Sequence, residues 1–164
     1  MKSIKRNCIL YLFSILFFLT STAFQNNQLI QGKVIGIQDG DSITLLLDNH
    51  VQLKVRLEGI DCPENNQDFG TKAKQFTSDL AFSKYVTVHK SGVDRYGRTL
   101  GYVILPDNTN LNEELLKAGL AWHFKKYNSS QKLSQLESEA KSQKIGLWQM
   151  PNPIAPWDFR KVKN

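Results

Sequence analysis

Three apolar runs follow one another over residues 29–59, and this pattern restricts the fold more than any other feature of the chain. The third run alternates strictly, with polar residues between Val51, Leu53, Val55 and Leu57. Because successive side chains of a strand point to opposite faces of a sheet, such a run predicts a strand with one buried face. Turn-forming residues at 39–40 and 48–50 separate the runs, so the sequence predicts three meandering strands.

The first turn contains Asp39 and Gly40, which favour a type I′ hairpin turn because both residue types tolerate a positive φ. Asp41 follows directly and begins the second predicted strand. If the second and third strands pair through the turn at 48–50, Asp41 and Asp61 lie near the same end of the hairpin. Two close carboxylates repel each other unless a cation or a proton lies between them. The two acids are therefore either a cation site or ordinary turn residues, and their spacing leaves both interpretations open.

Beyond this region apolar residues recur every three or four positions, which predicts a helix near residues 70–83. Its inward positions are Phe69, Ala73, Phe76 and Leu80. Two more strands are predicted at 85–90 and 99–105, on either side of the loop SGVDRYGR. Together with the first three runs they make five strands.

Two further helices are predicted towards the C-terminus. The first ends at Lys117, with Asn112 as its N-cap and Gly119 as its C′ glycine, and the second covers about residues 130–144 with Gly146 as its stop. Five strands and about three α-helices in this order predict an α+β fold, a five-stranded OB-fold β-barrel. Such barrels often bind oligonucleotides or oligosaccharides, but fold alone does not determine function.

The N-terminal residues 1–23 have the order of a secretory signal peptide: basic residues, an apolar core and then small residues. The apolar core at residues 8–19 is shorter than the roughly 20 residues that a membrane-spanning helix needs. Cleavage after Ala23 would make the protein secreted or periplasmic, without stable membrane association. An uncleaved segment would instead tether it to the membrane, and this alternative stays open.

Removal of residues 1–23 also changes the composition of the chain. The net charge would fall from +6 to +3, because Lys2, Lys5 and Arg6 would be lost, and so modest a surplus only hints at an anionic partner. Cys62 would be the only cysteine, which excludes an intramolecular disulfide bond.

Acids and arginines stand at the ends of predicted elements or in loops, namely Asp39, Asp41, Asp61, Glu64, Arg56 and Arg98. Carboxylate oxygens favour Ca²⁺ or Mg²⁺, and none of the three histidines has metal-ligand spacing to another. Guanidinium groups match the paired oxygens of a phosphate and keep their charge near neutral pH. A carboxylate beside them can accept a proton from water, which would suit hydrolysis of a phosphodiester. Taken singly, each of these residues also fits a solvated surface position.

Five segments resemble the staphylococcal nuclease (thermonuclease) family, in the family's order and approximate spacing: VIGIQDGDSITL, VRLEGIDCPE, DRYGRTLGYV, NEELLKAGLAW and EAKSQKIGLW. They span about residues 30–148, so residues 24–148 are predicted to form one nuclease-like OB-fold domain. The resemblance implies a Ca²⁺-dependent, sugar-nonspecific nuclease that hydrolyses DNA and RNA and leaves 3′-phosphate ends. It also implies a monomer with little sequence preference.

The resemblance further implies a role for particular residues around the cation. Asp41 and Asp61 match the calcium carboxylates, and Cys62 stands where a backbone carbonyl completes the site. Asp39 matches an acid near the metal that is not a direct ligand.

For catalysis, Arg56 and Arg98 match the two arginines of the family, and Glu64 matches its general base. Tyr96 matches a tyrosine that contacts a terminal phosphate of the substrate. A second such tyrosine has no unambiguous counterpart, and Tyr127 is the candidate.

The chain departs from the family pattern in three places. Ser42 and Cys62 replace threonines, and the loop at 65–70 is shorter. Residues 149–164 form a C-terminal tail, which is expected to pack on the domain through Trp157 and Phe159 and to offer basic residues, Arg160 among them, to phosphate. A noncatalytic OB-fold module that binds nucleic acid or protein is the alternative function, although such modules commonly lose the acids or arginines that this chain keeps.

Overall fold

The structure is a computed structural model that describes residues 28–162. In chain order its strands are β1 (Gln28–Asp39), β2 (Ser42–Leu46), β3 (Gln52–Leu57), β4 (Ile60–Asp61), β5 (Tyr85–Val93), β6 (Thr99–Ile104) and β7 (Trp122–His123). Its helices are α1 (Gly70–Ala81), α2 (Leu111–Lys117), α3 (Gln131–Ser142) and α4 (Pro156–Val162), with a 3-10 turn at Gly146–Gln149. The strands β1, β2, β3, β6 and β5 close a barrel in that order, which confirms the predicted five-stranded OB-type fold.

The barrel interior holds the apolar residues of the alternating runs. Ile43, Leu45, Val55 and Leu57 are all buried. Neighbouring strands are antiparallel except β3 and β6, which run parallel and close the barrel between Val55 and Thr99. Val51 lies before β3 and is exposed, so the third run forms a shorter strand than its pattern predicts.

The turn after β1 is not the predicted type I′ turn. Asp39 pairs with Ser42, so Gly40 and Asp41 are the central turn residues, and neither has a positive φ. Gly40 is needed here because a side chain would not fit: a Cβ atom at this position would lie 2.7 Å from the Cβ of Ala73 on α1. The strand β2 accordingly begins one residue later than predicted, and Asp41 belongs to the turn.

Helix α1 packs against this turn and fixes its position. The predicted helix is confirmed, although it ends at Ala81. Its Ala73 and Thr77 are buried, and the hydroxyl of Thr77 donates a hydrogen bond to the carbonyl of Gly40. The residue after Gly40 is thereby held at the edge of the barrel.

The N-cap of α2 is Asn110 rather than the predicted Asn112. The side chain of Asn110 accepts hydrogen bonds from the backbone N–H groups of Asn112 and Glu113. Asn112 is buried, and its side chain accepts from the backbone of Val103 and donates to the carbonyl of Glu58. It therefore joins the helix to two regions of the barrel.

The last predicted helix is confirmed as α3, with Ser130 as its N-cap. Its predicted stop is wrong, because the chain leaves the helix through Lys144, which has a φ of 54°. Gly146, with a φ of 59°, begins the 3-10 turn that follows. The predicted C′ position of Gly119 after α2 is confirmed by its φ of 60°.

The sequence did not predict the short sheet of β4 and β7, the 3-10 turn or helix α4 in the tail. The ring of Trp157 on α4 stacks on Phe124 with centroids 5.1 Å apart, and its edge meets Trp122. The predicted signal peptide at residues 1–23 lies outside the described residues. Across residues 28–162 the structure contains no helix with the length and apolar character needed to span a membrane.

Candidate active site

Arg56 joins the two predicted metal carboxylates. Its Nη1 lies 2.8 Å from Oδ2 of Asp41, and its Nη2 lies 2.7 Å from Oδ1 of Asp61. Three elements meet here, because Arg56 lies on β3 opposite Ser42, Asp41 is in the turn before β2, and Asp61 pairs with Trp122 in the short sheet. The sequence-based expectation that the two acids lie at the same end of the hairpin is confirmed.

Backbone and hydroxyl groups hold Asp41 in place. Its Oδ2 accepts a hydrogen bond from the backbone N–H of Cys62 at 2.6 Å, and Ser42 Oγ lies 3.3 Å from its Oδ1. The backbone N–H of Asp41 donates to Oδ1 of Asp39 at 3.2 Å. The backbone of Cys62 thus contacts the site through its N–H group, and the role of its carbonyl stays a prediction.

Burial sets the electrostatics of this cluster. Burial raises the pKa of Asp41 well above its ordinary value; Arg56 opposes this effect, and Asp39 and Asp61 add to it. Burial alone would lower the pKa of Arg56, but Asp41 and Asp61 raise it, so the guanidinium stays charged. Burial also raises the pKa of the Cys62 thiol, and a thiol without its thiolate form is a poor nucleophile.

Glu64 follows Asp61 by three positions in the chain, and the guanidinium of Arg160 binds both residues. Nη1 of Arg160 lies 2.6 Å from Oε1 of Glu64, and Nη2 of Arg160 lies 2.7 Å from Oδ2 of Asp61. The backbone N–H of Glu64 donates to Oε1 of Gln67 at 3.2 Å. The sequence suggested a phosphate contact for Arg160. It did not suggest this contact with the carboxylates of Glu64 and Asp61, which lie 96 and 99 positions earlier in the chain.

Arg98 stands at the border of the cluster. Its Nε donates to Oδ2 of Asp94 at 2.7 Å, and its Nη1 donates to Ser42 Oγ at 3.3 Å. Asp94 has no predicted role, although its position four residues before Arg98 in DRYGR was a usable signal. Tyr96 in the same loop is 69% exposed, and the guanidinium of Arg95 lies 4.8 Å from its ring centroid.

The other candidate tyrosine, Tyr127, is 68% exposed and lies on the side of the molecule that carries the tail helix. Its ring meets Phe124 edge to face with centroids 4.9 Å apart, and Phe124 in turn stacks on Trp157. Both tyrosines are thus accessible to a ligand, and their contacts with substrate stay predictions.

The donor set fits a hard divalent cation. Four carboxylates lie in this region: those of Asp41 and Asp61 are buried and those of Asp39 and Glu64 are half-buried. Arg56 and Arg160 contact all of them except Asp39. Close carboxylates repel one another unless a cation or a proton lies between them, and their oxygens suit Ca²⁺ or Mg²⁺. Within residues 28–162 no three side chains of His, Cys, Asp or Glu converge to hold a metal alone, so a cation here would need backbone or solvent oxygens as well.

Known proteins resemble the chain over most of its length. The family model for staphylococcal nuclease homologues matches residues 54–150. A protein of Escherichia coli O157:H7 described as an uncharacterized endonuclease is 40% identical over 134 residues, covering 82% of this chain and 87% of that protein. A micrococcal nuclease of Shigella flexneri is 40% identical over 142 residues, covering 80% of this chain and 81% of its own.

Proposed function

Because the chain belongs to the staphylococcal nuclease family, we propose that it is a secreted or periplasmic, Ca²⁺-dependent nuclease that hydrolyses DNA and RNA to 3′-phosphate ends. The observation that carries the proposal is the bridge from Arg56 to the buried carboxylates of Asp41 and Asp61, next to Glu64. The relative named micrococcal nuclease supports a nucleic-acid substrate for this site.

Asp41 and Asp61, with the backbone carbonyl of Cys62, are the groups proposed to hold the cation. A Ca²⁺ ion held by these groups would supply Lewis-acid chemistry for hydrolysis of the phosphodiester. Glu64 orients water and accepts its proton. The water oxygen forms a bond to phosphorus, and the bond from phosphorus to the 5′ oxygen breaks. The 5′ oxygen takes up a proton from solvent, which leaves a 3′-phosphate and a 5′-hydroxyl.

The two predicted catalytic arginines differ in their surroundings, and this suggests a division of labour. Arg56 is only 13% exposed and already binds two carboxylates, so it contributes a fixed positive charge beside the reacting phosphate. Arg98 is more accessible at 29% and directs Nη1 towards Ser42, so it can bind a phosphate oxygen with its free donors. Tyr96 and Tyr127 offer exposed rings on which bases of any sequence can stack.

Digestion of plasmid DNA, single-stranded DNA and RNA by the purified protein tests the activity. We expect cleavage of all three with Ca²⁺, little with Mg²⁺, and none with a chelator. The products should accept a labelled phosphate from polynucleotide kinase without prior dephosphorylation, because their 5′ ends are hydroxyl groups. Ends that require dephosphorylation first would contradict the proposed bond cleavage.

The proposed location has its own test. Cleavage of the signal peptide predicts that the mature protein begins at Phe24. N-terminal sequencing of the protein from the periplasm or the medium measures this directly. A protein that begins at Met1 and stays with the membrane fraction would support the tethered alternative.

A further inference from the structure

A residue of the C-terminal tail binds two carboxylates of the candidate active site, those of Asp61 and Glu64. Arg160, on helix α4, contacts Oδ2 of Asp61 and Oε1 of Glu64 with separate nitrogens of one guanidinium group, at 2.7 and 2.6 Å. Arg56 occupies the other oxygen of Asp61 at 2.7 Å. Both oxygens of this carboxylate are therefore bound by arginine, and Glu64 is joined to it through Arg160 alone among the described side-chain hydrogen bonds.

Packing, as well as charge, brings Arg160 to this position. Trp157, three residues earlier on the same helix, stacks on Phe124 at an interplanar angle of 5°. Pro156, the first residue of the helix, and Ala155 directly before it are both buried. The direction from which the guanidinium enters the cluster is thus set by apolar contacts that do not depend on the carboxylates.

A neutral hydrogen bond ties the loop of Glu64 to the tail a second time. Gln67 accepts from the backbone N–H of Glu64 at 3.2 Å, and its Nε2 donates to the carbonyl of Ile154 at 2.7 Å. The backbone of Glu64 is thus linked to the tail through Gln67, and its side chain is linked to the tail through Arg160. A tail that only covered the barrel would not need to reach either of them.

A planar guanidinium that binds two carboxylates sets both their separation and their orientation, which an ammonium group cannot do. Arg160 also places a positive charge on Asp61, one of the proposed cation ligands. The same contact therefore has two opposite effects: it orders Glu64, and it weakens the attraction of Asp61 for a cation.

Resting on the nuclease function proposed above, we propose that Arg160 is a positioning residue of the active site, which holds Glu64 beside Asp61 and competes with the cation for Asp61. Removing its guanidinium should slow turnover while it tightens the binding of Ca²⁺. Loss of a merely structural contact would slow turnover and weaken Ca²⁺ binding together, so the sign of the second effect distinguishes the two roles.

The test compares Arg160→Ala and Arg160→Lys with the unchanged protein. At saturating Ca²⁺, we expect Arg160→Ala to lower kcat about tenfold to a hundredfold with little change in KM, because a misplaced catalytic group costs rate rather than binding. Arg160→Lys should recover part of the loss, since one ammonium can satisfy only one carboxylate at a time. Calorimetric titration with CaCl₂ in the absence of nucleic acid should give a Kd for Arg160→Ala at least about threefold lower than that of the unchanged protein.

Lys84→Ala is the matched control, because it also removes one positive charge. Lys84 is exposed in the turn between α1 and β5, where its backbone bonds to Val34 and Ala81. We expect this variant to keep both kcat and the Kd for Ca²⁺. Equal changes in Lys84→Ala and Arg160→Ala would show an effect of net charge and would overturn the positioning role.

Other outcomes also decide the question. A raised KM with unchanged kcat in Arg160→Ala would mean that Arg160 binds substrate instead, and weaker Ca²⁺ binding would mean that it only supports the fold. Both results overturn the inference. A further outcome is that the unchanged protein binds Ca²⁺ and cleaves nucleic acid while Arg160→Ala has the same kcat and the same Kd for Ca²⁺. In that case this inference fails and the proposed function stands. Absence of Ca²⁺-dependent cleavage by the unchanged protein would overturn both.

Discussion

Asp94 binds both the side chain and the backbone of Arg98. Its Oδ2 accepts from Nε of Arg98 at 2.7 Å, and its Oδ1 accepts from the backbone N–H of Arg98 at 2.9 Å. Burial of Asp94 would raise its pKa, but the hydrogen bonds from Arg98 and from the backbone of Tyr96 lower it. The carboxylate therefore stays ionised near neutral pH and can orient Arg98 towards Ser42.

Asp94→Asn should lower kcat/KM about tenfold, because a neutral amide holds a guanidinium less strongly than a carboxylate does. Steady-state cleavage of single-stranded DNA measures the effect. Asp107→Asn is the matched control, since Asp107 is also a loop aspartate that accepts from a backbone N–H, that of Thr109, but it has no arginine partner among the described contacts. An equal loss in both variants would argue against a specific role of Asp94.

Gly40→Ala should lower the free energy of unfolding by about 1–3 kcal/mol, the usual cost of overpacking. A Cβ atom would lie 2.7 Å from the Cβ of Ala73 and 2.8 Å from Sγ of Cys62, both of which are buried. Urea denaturation measures the change. In the control, Gly92→Ala, the nearest atom to the new Cβ is 4.0 Å away, so no such loss is expected. Equal stability of Gly40→Ala and the unchanged protein would contradict the tight fit.

Glu64→Gln should reduce kcat by about a hundredfold or more, in the range expected for loss of a general base. The amide keeps the shape of the side chain but cannot accept a proton from water. Single-turnover cleavage at saturating Ca²⁺ measures the chemical step. Glu139→Gln makes the same change on the exposed face of α3 and should leave the rate as it is. Undiminished cleavage by Glu64→Gln would show that the base is another group.

The pattern of the sequence predicts the barrel well, because strand alternation is local and its period identifies the buried face. The N-cap of α2 shows where local patterns fail. Asn110 and Asn112 both have a good capping side chain, and only the tertiary contacts of Asn112 with Val103 and Glu58 decide between them. The Asp39-Gly40 turn fails similarly, since the need for Gly40 comes from Ala73 on a helix more than thirty residues away.

The candidate site divides in the same way. Arg56 on β3 pairs with Ser42, the residue after Asp41, and Asp61 follows β3 within a few positions, so the proximity of these three residues follows from one strand pairing and short chain separation. Arg160 reaches Asp61 across 99 positions through a helix that the sequence did not predict. The nearby Trp157 indicates that the tail packs on the domain. Apolar residues do not reveal, however, which polar side chain of the tail will then lie in the site.

Glu137 gives the fold a pH-dependent contribution to stability. It is buried, and its Oε2 lies 3.0 Å from Nζ of both Lys125 and Lys141. Burial alone would raise the pKa of Glu137, but these lysines and the backbone N–H of His123 lower it below the usual 4.5. Because the native state then holds the carboxylate proton less tightly than the unfolded chain, the stabilisation is present above pH 4.5 and is lost as the pH falls below it.

Glu137→Gln should therefore lower the free energy of unfolding by about 1–3 kcal/mol at neutral pH, because it leaves charged partners without their carboxylate. The difference from the unchanged protein should narrow as the pH falls below 4.5 and the carboxylate becomes protonated. Urea denaturation at several pH values measures both effects. Glu139→Gln, two positions away and exposed, should show neither. A constant difference across this pH range would assign the loss to packing.

Trp157→Ala should reproduce the kinetic effect of Arg160→Ala, because the stack of Trp157 on Phe124 is what brings helix α4 to the cluster. We expect kcat to fall about tenfold or more, while Trp157→Phe, which keeps an aromatic ring over Phe124, should retain most of the rate. The double variant of Trp157→Ala and Arg160→Ala should be little slower than either single variant, since residues that act through one contact are not additive. Additive losses would mean that Trp157 serves the reaction by a route that does not involve Arg160.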